Sequence, residues 1–289
     1  MTTATAPTWR RLWLETTEAL GGTPEAAVEA RWMCQVASGR DGADWLLGLD
    51  DLATTRPVSR LDAMVGRRRA GEPLQYVLGS WGFRRLDLMV DRRVLIPRPE
   101  TELVVEAALV AARSMPPPIV VADLGTGSGA IALALADELP LRGVTIWATD
   151  NLPGALDVAR ANLAGLGRAG ANVRLAAGNW FEALPADLAG AVDVLVANPP
   201  YVAEGAADEA VERWEPAEAV FAGPEGLAAI RVLVAGAPRW LRPDGVLVVE
   251  IGPDQGERVA ALARAAGLVG VEVRPDLAGR DRVLVARCP

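Results

Sequence analysis

The sequence predicts an α/β protein whose mostly parallel sheet is wrapped by helices and preceded by a small helical bundle. Three observations predict it. Apolar residues recur at helical spacing from Trp9 to about Arg69. After the proline-rich break Met115-Pro116-Pro117-Pro118, strand-like and helical runs alternate, as they do in sheets wrapped by helices. Two of those strands, Ile119–Ala122 and Val192–Ala197, are apolar nearly throughout, the mark of strands buried on both faces.

In chain order, Trp9, Leu12, Trp13 and Leu20, then Ala27, Val28, Trp32 and Val36, mark helices at three- and four-residue spacings. Gly21-Gly22-Thr23-Pro24 reads as a helix stop, then a threonine cap with proline at the first helical position. Between Pro73 and Ile96 the segments Tyr76-Val77-Leu78-Gly79 and Phe83 to Leu88 look extended around a Gly-Ser-Trp-Gly turn, so a β-hairpin is expected to join two domains. Beyond the break the runs are Ile119–Ala122, Ala130–Glu138, Val144–Ala148, Gly154–Leu166, Val173–Ala176, Val192–Ala197, Leu227–Trp240, Val246–Ile251 and Gln255–Ala266. The expected division is a helical domain over 1–72, a hairpin linker over 73–97 and a catalytic domain over 98–289.

Composition removes whole classes of function. With 289 residues, 51% of them hydrophobic, the chain can bury a large core and carry an accessory domain. It has no histidine and no lysine, so all 29 basic residues are arginine. An imidazole base, a Schiff-base lysine and a histidine-ligated metal are thereby excluded. The only cysteines, Cys34 and Cys288, lie near opposite ends and outside any CxxC pair, which argues against a disulfide framework or structural zinc. A net charge of -8 disfavours nucleic acid as the main partner. Arg67-Arg68-Arg69 reads either as a phosphate contact or as a solvated helix end. No apolar run reaches the roughly 18 residues of a membrane span and the start lacks a signal peptide, so a soluble, cytoplasmic protein is expected.

A cofactor site is readable after the first buried strand. Asp123-Leu124-Gly125-Thr126-Gly127-Ser128-Gly129 leads from strand to helix, where open α/β sheets bind ligands. Its glycines permit tight turning and close backbone approach, and the helix start offers free N–H groups. The spacing is G-x-G-x-G, not the dinucleotide G-x-G-x-x-G. The next strand ends at Asp150, whose carboxylate suits two ribose hydroxyls or, alternatively, a helix cap for Gly154–Leu166. Trp180, in the loop after the third strand, either stacks on an adenine or covers the core edge.

The reacting group is the feature that decides the chemistry. Asn198-Pro199-Pro200-Tyr201 ends the strand Val192–Ala197 on the same sheet edge as the glycine loop, and its prolines stop the strand and leave carbonyls unpaired. An amide or exocyclic NH2 nitrogen is a poor nucleophile, its lone pair being delocalised. Hydrogen bonds from its two N–H groups to the Asn198 side-chain oxygen and the Pro199 carbonyl would orient it and favour its pyramidal, positively charged transition state. Attack on the methyl carbon of a sulfonium needs no prior base, because the nitrogen acidifies as it bonds carbon. Tyr201 can lie on the flat face of the acceptor. In isolation Asn-Pro-Pro-Tyr is also compatible with a plain proline-rich turn, and it leaves amide and adenine acceptors equally open.

From Gly71 onward the chain resembles the protein-(glutamine-N5) methyltransferase family that modifies class-1 peptide release factors. The resemblance rests on Gly71 to Tyr76, Leu95-Ile96-Pro97-Arg98-Pro99-Glu100-Thr101-Glu102, Asp123 to Gly129, Asn198 to Tyr201, Glu215-Pro216, Val249-Glu250-Ile251-Gly252 and Asp276 to Arg282. The stretch before Gly71 resembles the family only in being helical. The resemblance implies a Rossmann-like class I methyltransferase fold with a seven-stranded mostly parallel sheet. It implies S-adenosyl-L-methionine as methyl donor, S-adenosyl-L-homocysteine as product and no metal. Asp123, Gly125, Thr126, Gly127, Ser128, Gly129, Asp150, Trp180 and Asn198 would bind the cofactor. Asn198, Pro199, Pro200 and Tyr201 would hold the target, the glutamine of the Gly-Gly-Gln motif in a release factor. The helical domain would help dock that partner, and the enzyme would act as a monomer. Arg98, Glu100 and Glu102 are assigned structural roles. Asn179, Leu152 and the segment Ala222 to Leu227 depart from the family's usual residues. Two rival substrates use the same chemistry: a glutamine of a ribosomal protein, and the adenine N6 of a nucleic acid, which would call for a concentrated basic region that this acidic chain lacks. From a different class, a catalytically silent cofactor-binding module is disfavoured by the intact Asn-Pro-Pro-Tyr.

Overall fold

The computed structural model describes residues 6–289, which fall into two compact units, one ending at Gly79 and the other running from Ser80 to Pro289. The first unit is helical: α1 (Trp9–Ala19), α2 (Pro24–Ser38), α3 (Gly42–Leu47), α4 (Thr55–Arg69) and α5 (Leu74–Leu78). Thr8 caps α1 and Thr23 caps α2, with Pro24 at the first helical position as the sequence predicts. Trp45 is 1% exposed and meets Trp9 and Trp13 edge to face, at centroid distances of 6.3 and 6.4 Å. The arginine run ends α4, where Arg67 pairs with Glu72 and Arg68 with Glu29, so two of the three belong to an internal ion-pair arrangement.

Two expectations for this unit need correction. The buried face of α2 is Ala26, Ala30, Met33, Cys34 and Ala37, whereas Val28 and Trp32 are exposed. Small alanines let the helices approach closely, so the packed stripe lies beside the bulky one. Tyr76, Val77 and Leu78, expected to be extended, belong to the helix Leu74–Leu78. Pro73 precedes it, Gly79 ends it at φ +85°, and Leu74, Tyr76 and Val77 are buried, so packing overrides the strand preference of Tyr and Val. The hairpin therefore starts later, as β1 (Ser80–Phe83) and β2 (Leu86–Met89), and turns at Arg84-Arg85 instead of at Gly-Ser-Trp-Gly. Arg84 takes φ +51°, a left-handed backbone that its bonds to Glu102, Glu138 and Glu106 hold in place.

The second unit continues with α6 (Thr101–Arg113), β3 (Ile119–Leu124), α7 (Ala130–Glu138), β4 (Val144–Asp150), α8 (Pro153–Gly165), β5 (Val173–Ala177), β6 (Val192–Ala197), α9 (Glu209–Trp214), α10 (Ala217–Val220), α11 (Ala228–Trp240), β7 (Leu241–Glu250), α12 (Gly256–Ala265), β8 (Val269–Pro275) and β9 (Asp281–Arg287). Helix α6 and strands β8 and β9 were not among the alternating runs. The seven strands form one sheet in the order β5-β4-β3-β6-β7-β9-β8, parallel except where β9 pairs antiparallel with β7 and β8.

Side chains alternate between the two faces of that sheet. Val121, Val194, Val196, Val246 and Val248 join the core under α6 and α7, while Ala122, Leu195, Ala197, Leu247 and Val249 join the core that includes residues of α11 and α12. Every residue of β6 is buried, Asp193 included; its carboxylate takes the Val120 N–H at 2.7 Å and a bond from Arg242. From β3 the chain winds through β4 and β5 to one side and through β6 and β7 to the other. The winding direction thus reverses between β3 and β6, and a crevice forms beyond their C-terminal ends.

Leu195 is fully buried at the centre of this sheet. Leu195→Ala is expected to destabilise the protein by about 2–5 kcal/mol, read as a lower urea midpoint at unchanged m-value.

Candidate active site

The crevice is a cleft of about 870 Å³ whose wall includes Gly125, Thr126, Gly127, Ser128, Asp150, Trp180 and Asn198. Seven of the nine residues predicted to bind the cofactor thus meet there, with Pro200 beside them. Asp123 and Gly129 underlie the wall without lining it.

Asp123 ends in a fully buried carboxylate that supports the glycine loop from beneath. Its Oδ2 accepts from the Thr126 hydroxyl at 2.6 Å and the Ala132 N–H at 3.2 Å, while Oδ1 has no partner. Burial raises its pKa to about 7, against the lowering effect of those two donors. The loop also hangs from β4, with the Gly125 and Thr126 N–H groups donating to the Thr149 carbonyl at 2.9 and 2.8 Å. Gly125, Gly127 and Gly129 all take positive φ. A Cβ on Gly129 would come 3.0 Å from Leu133, and one on Gly125 would come 3.3 Å from the Trp180 ring, so backbone and indole need these positions bare. Asn162 of α8 adds a tie that sequence reasoning missed: it donates to the carbonyls of Ser128 and Met89 and accepts the Met89 N–H, stitching the hairpin to the loop.

Asp150 lies on the cleft wall but does not cap α8, whose N-cap is Leu152, without a side-chain capping bond. One oxygen takes the Leu152 N–H at 2.9 Å and the other the Gly127 N–H at 2.9 Å, so the residue braces the start of α8 and the glycine loop together. Each oxygen keeps a second lone pair, and the residue lies on the cleft wall. Trp180 takes φ +49° and packs against both the cleft and the core around α11.

Asn198 stands where this cleft meets a second one, of about 700 Å³, lined by Pro199, Pro200, Tyr201, Val202, Ala206, Asp208 and Arg98 among others. Its Nδ2 donates to the Thr101 hydroxyl at 3.0 Å; its Oδ1 is buried and has no partner. Among the described residues no backbone N–H donates to the Pro199 carbonyl. Two acceptors at one strand end are therefore available to a ligand bearing an NH2 group. Tyr201 is fixed at both ends: its hydroxyl donates to Glu250 Oε1 at 3.1 Å, and its carbonyl accepts from the Gln255 amide at 3.0 Å. Burial and the nearby Glu250 carboxylate push the Tyr201 hydroxyl pKa well up. Glu250, with 0% exposure, has its own pKa raised to about 7 by burial.

The three charged residues around the start of α6, Arg98, Glu100 and Glu102, all sit in ion-pair or backbone networks. Arg98 bonds to Glu215 and to the Ile96 carbonyl, and Glu215 also accepts the Ile96 N–H at 3.0 Å. Glu102 accepts the Arg84 N–H, and Glu100 lies 3.7 Å from Arg280. Arg98 additionally borders the second cleft. Thr101 and Glu250 are the side chains that the sequence reading left without a role. A lone carboxylate ending the apolar run Val246-Leu247-Val248-Val249 was the signal that could have found Glu250.

Residues 11–79 match the family described as PrmC N-terminal domain, and residues 106–215 match the methyltransferase small domain. A release factor glutamine methyltransferase of Cereibacter sphaeroides is 42% identical over 281 residues, 94% of each chain. Its counterpart from Moorella thermoacetica is 44% identical over 278 residues, 93% of each chain. Among solved structures, a methyltransferase from Pyrococcus furiosus aligns with a TM-score of 0.51 at 16% identity, covering 79% of this chain and 98% of that one, a likeness of fold alone. No helix among the described residues is long and apolar enough to cross a membrane, and no group of three or more possible metal ligands occurs among them.

Asp123 supplies a test by pH. The unfolded chain releases this proton in the ordinary carboxylate range near 4 and the folded chain near 7. Its contribution to stability is full below the unfolded value and is lost as pH rises to the folded one, at up to about 1.4 kcal/mol per pH unit. The stability of Asp123→Asn minus that of wild type, from denaturant melts of ligand-free protein, is expected to move in the variant's favour from about pH 4 to pH 7 and then level off. A difference that stays flat across that range would contradict the assignment.

Proposed function

The chain belongs to the release factor glutamine methyltransferase family and is a protein-(glutamine-N5) methyltransferase, and from that premise we propose that its donor is S-adenosyl-L-methionine and its acceptor the glutamine of the Gly-Gly-Gln motif of a class-1 release factor. The observation that carries the reading is the Asn198 side-chain oxygen, buried without a partner at the junction of two clefts. A buried unpaired acceptor costs about 1–3 kcal/mol, which is repaid when a bound N–H group reaches it.

The first cleft fits the donor. It combines a glycine loop at the start of α7, a carboxylate at the end of β4 and a half-buried indole on its wall, the donors and surfaces that a nucleoside with a charged tail requires. When bound, S-adenosylmethionine supplies an electrophilic methyl group on a sulfonium. The protein's own part is orientation: Asn198 Oδ1 and the Pro199 carbonyl accept the two N–H groups of the glutamine amide and aim its nitrogen toward the first cleft. Those acceptors hold the NH2 group in place and strengthen as positive charge develops on the nitrogen in the pyramidal transition state. Tyr201, pinned at hydroxyl and carbonyl, presents its ring to the planar amide. The proton is lost after the N–C bond forms, so no strong base is needed, in keeping with a chain that has neither histidine nor lysine. The helical unit before Ser80 is proposed to dock the release factor, and the enzyme to act as a monomer in the cytoplasm.

Purified enzyme offered labelled donor should methylate a release factor, and should fail on that factor with Gln→Ala in Gly-Gly-Gln and on an adenine-containing duplex. Label on the duplex, or undiminished label on the altered factor, would overturn the substrate assignment. Asn198→Ala should lower turnover by about 10²–10³-fold while cofactor binding stays measurable by calorimetry. Unchanged turnover would mean that the amide acceptor lies elsewhere.

A further inference from the structure

The backbone of Asn198-Pro199-Pro200-Tyr201 has few hydrogen bonds of its own among the described residues. Strand β6 pairs with β7 as far as Ala197, and beyond the motif the Val202 N–H donates to the Val220 carbonyl at 3.1 Å. Between these points the two prolines have no N–H to give, and the Asn198 and Tyr201 N–H groups donate to no backbone carbonyl. Yet the Pro199 carbonyl must keep its place if it is to receive an amide N–H while the nitrogen faces a methyl donor.

The hydrogen bond that holds this stretch comes from the turn after β7. The Tyr201 carbonyl accepts from Gln255 Nε2 at 3.0 Å. The same NH2 group donates to the Gly226 carbonyl at 3.1 Å, and Gln255 Oε1 accepts the Gly252 N–H at 2.9 Å. Gln255 is 9% exposed, so its amide lies inside the protein with both N–H groups and its oxygen engaged. Its orientation is fixed by backbone groups that cannot change character. Turned over, the oxygen would face two carbonyls and the NH2 group would face an N–H. One amide thereby joins three segments: the end of the Asn-Pro-Pro-Tyr motif, the loop before α11 and the turn that starts α12.

Gly226 closes the grip from another side. It takes φ +67°, and a Cβ there would come 2.3 Å from the Tyr201 carbonyl oxygen, so this carbonyl is packed against bare backbone as well as hydrogen-bonded. Proline fixes φ at about −65°, which leaves few free torsions between the Tyr201 and Pro199 carbonyls. Restraining one restrains the other.

We propose that Gln255 is a positioning residue for methyl transfer: by anchoring the Tyr201 carbonyl it holds the Pro199 carbonyl and the Tyr201 ring in register with the acceptor amide. The proposal rests on the reading of Asn198 Oδ1 and the Pro199 carbonyl as the glutamine's hydrogen-bond acceptors. It gives a part in the reaction to a residue that lines neither cleft and acts through Tyr201.

Three variants test it, each assayed at a temperature where circular dichroism shows the folded state. Gln255→Met removes both donors without adding charge, and Gln255→Glu keeps the shape but sets a carboxylate oxygen against two carbonyls. Turnover of both should fall roughly tenfold to a hundredfold, with KM for release factor and calorimetric affinity for S-adenosylhomocysteine changed less than about threefold. Gly226→Ala displaces the same carbonyl while leaving Gln255 in place, and it should show the same split. Turnover within about threefold of wild type in the Gln255 variants, beside an inactive Asn198→Ala, would overturn the proposal and leave the acceptor reading intact. Losses that follow the folded fraction, complete failure to fold included, would make Gln255 a purely structural residue and overturn it too. So would a release-factor KM that rises while turnover holds. Full turnover in Asn198→Ala would remove the acceptor reading and this inference with it.

Discussion

Parallel pairing of β3 with β6, with Val121, Ala122 and Asp123 opposite Val194, Leu195 and Val196, sets two apolar strands side by side and ends both at the same edge of the sheet. The residues that follow are the glycine loop on one strand and Asn198 to Tyr201 on the other. Because the winding reverses between these strands, no helix crosses over that point and the crevice stays open. Each site group inherits its position from this pairing: Asp150 from β4 on one side of β3, Glu250 from β7 on the other side of β6. The layered cores above and below keep the strand ends from shifting, and a close-packed interior transmits little slack to the loops it holds.

That rigidity is needed because the site concentrates polar groups that the fold would be more stable without. Asp123 and Glu250 are buried carboxylates with pKa values raised to about 7, and each has one oxygen without a well-directed partner, as does the Asn198 amide. Such groups destabilise a fold unless ligands complete them. Their placement at one edge, around one crevice, is what distinguishes them from Asp193, equally buried but saturated by Val120 and Arg242. The unmet hydrogen-bonding capacity of Asp123, Asn198 and Glu250 gathers at the C-terminal ends of β3, β6 and β7 and marks where the molecule is built to bind.

Much of this was legible in the residues. The two nearly all-apolar strands, the glycine loop after β3, the carboxylate ending β4 and the prolines that stop β6 all carry local signals, and the structure brings them together. What stayed hidden depended on tertiary contact. Tyr76 and Val77 favour strands but are buried in a helix, Val77 within the first unit's core. The buried stripe of α2 runs through alanines that carry no hydrophobic emphasis of their own. Strand β8 is mostly exposed and includes Gly270 and Pro275, so its pattern is faint, and its place at the sheet edge follows only from its pairing with β9. Thr101 and Glu250 lie in different parts of the chain; the β6–β7 register sets Glu250 beside Asn198, and a hydrogen bond at 3.0 Å sets Thr101 there.

The central claim is that the Asn198 oxygen and the Pro199 carbonyl are the acceptors that orient a glutamine amide at the junction of the two clefts. The most direct measurement is a crystal structure of the enzyme with S-adenosylhomocysteine and a release factor carrying its Gly-Gly-Gln loop. The account expects the glutamine Nε2 within hydrogen-bond distance of Asn198 Oδ1 and the Pro199 carbonyl, with Asn198 Nδ2 still on Thr101. A glutamine amide bound elsewhere, or an Asn198 side chain turned so that its NH2 faces the glutamine, would contradict it.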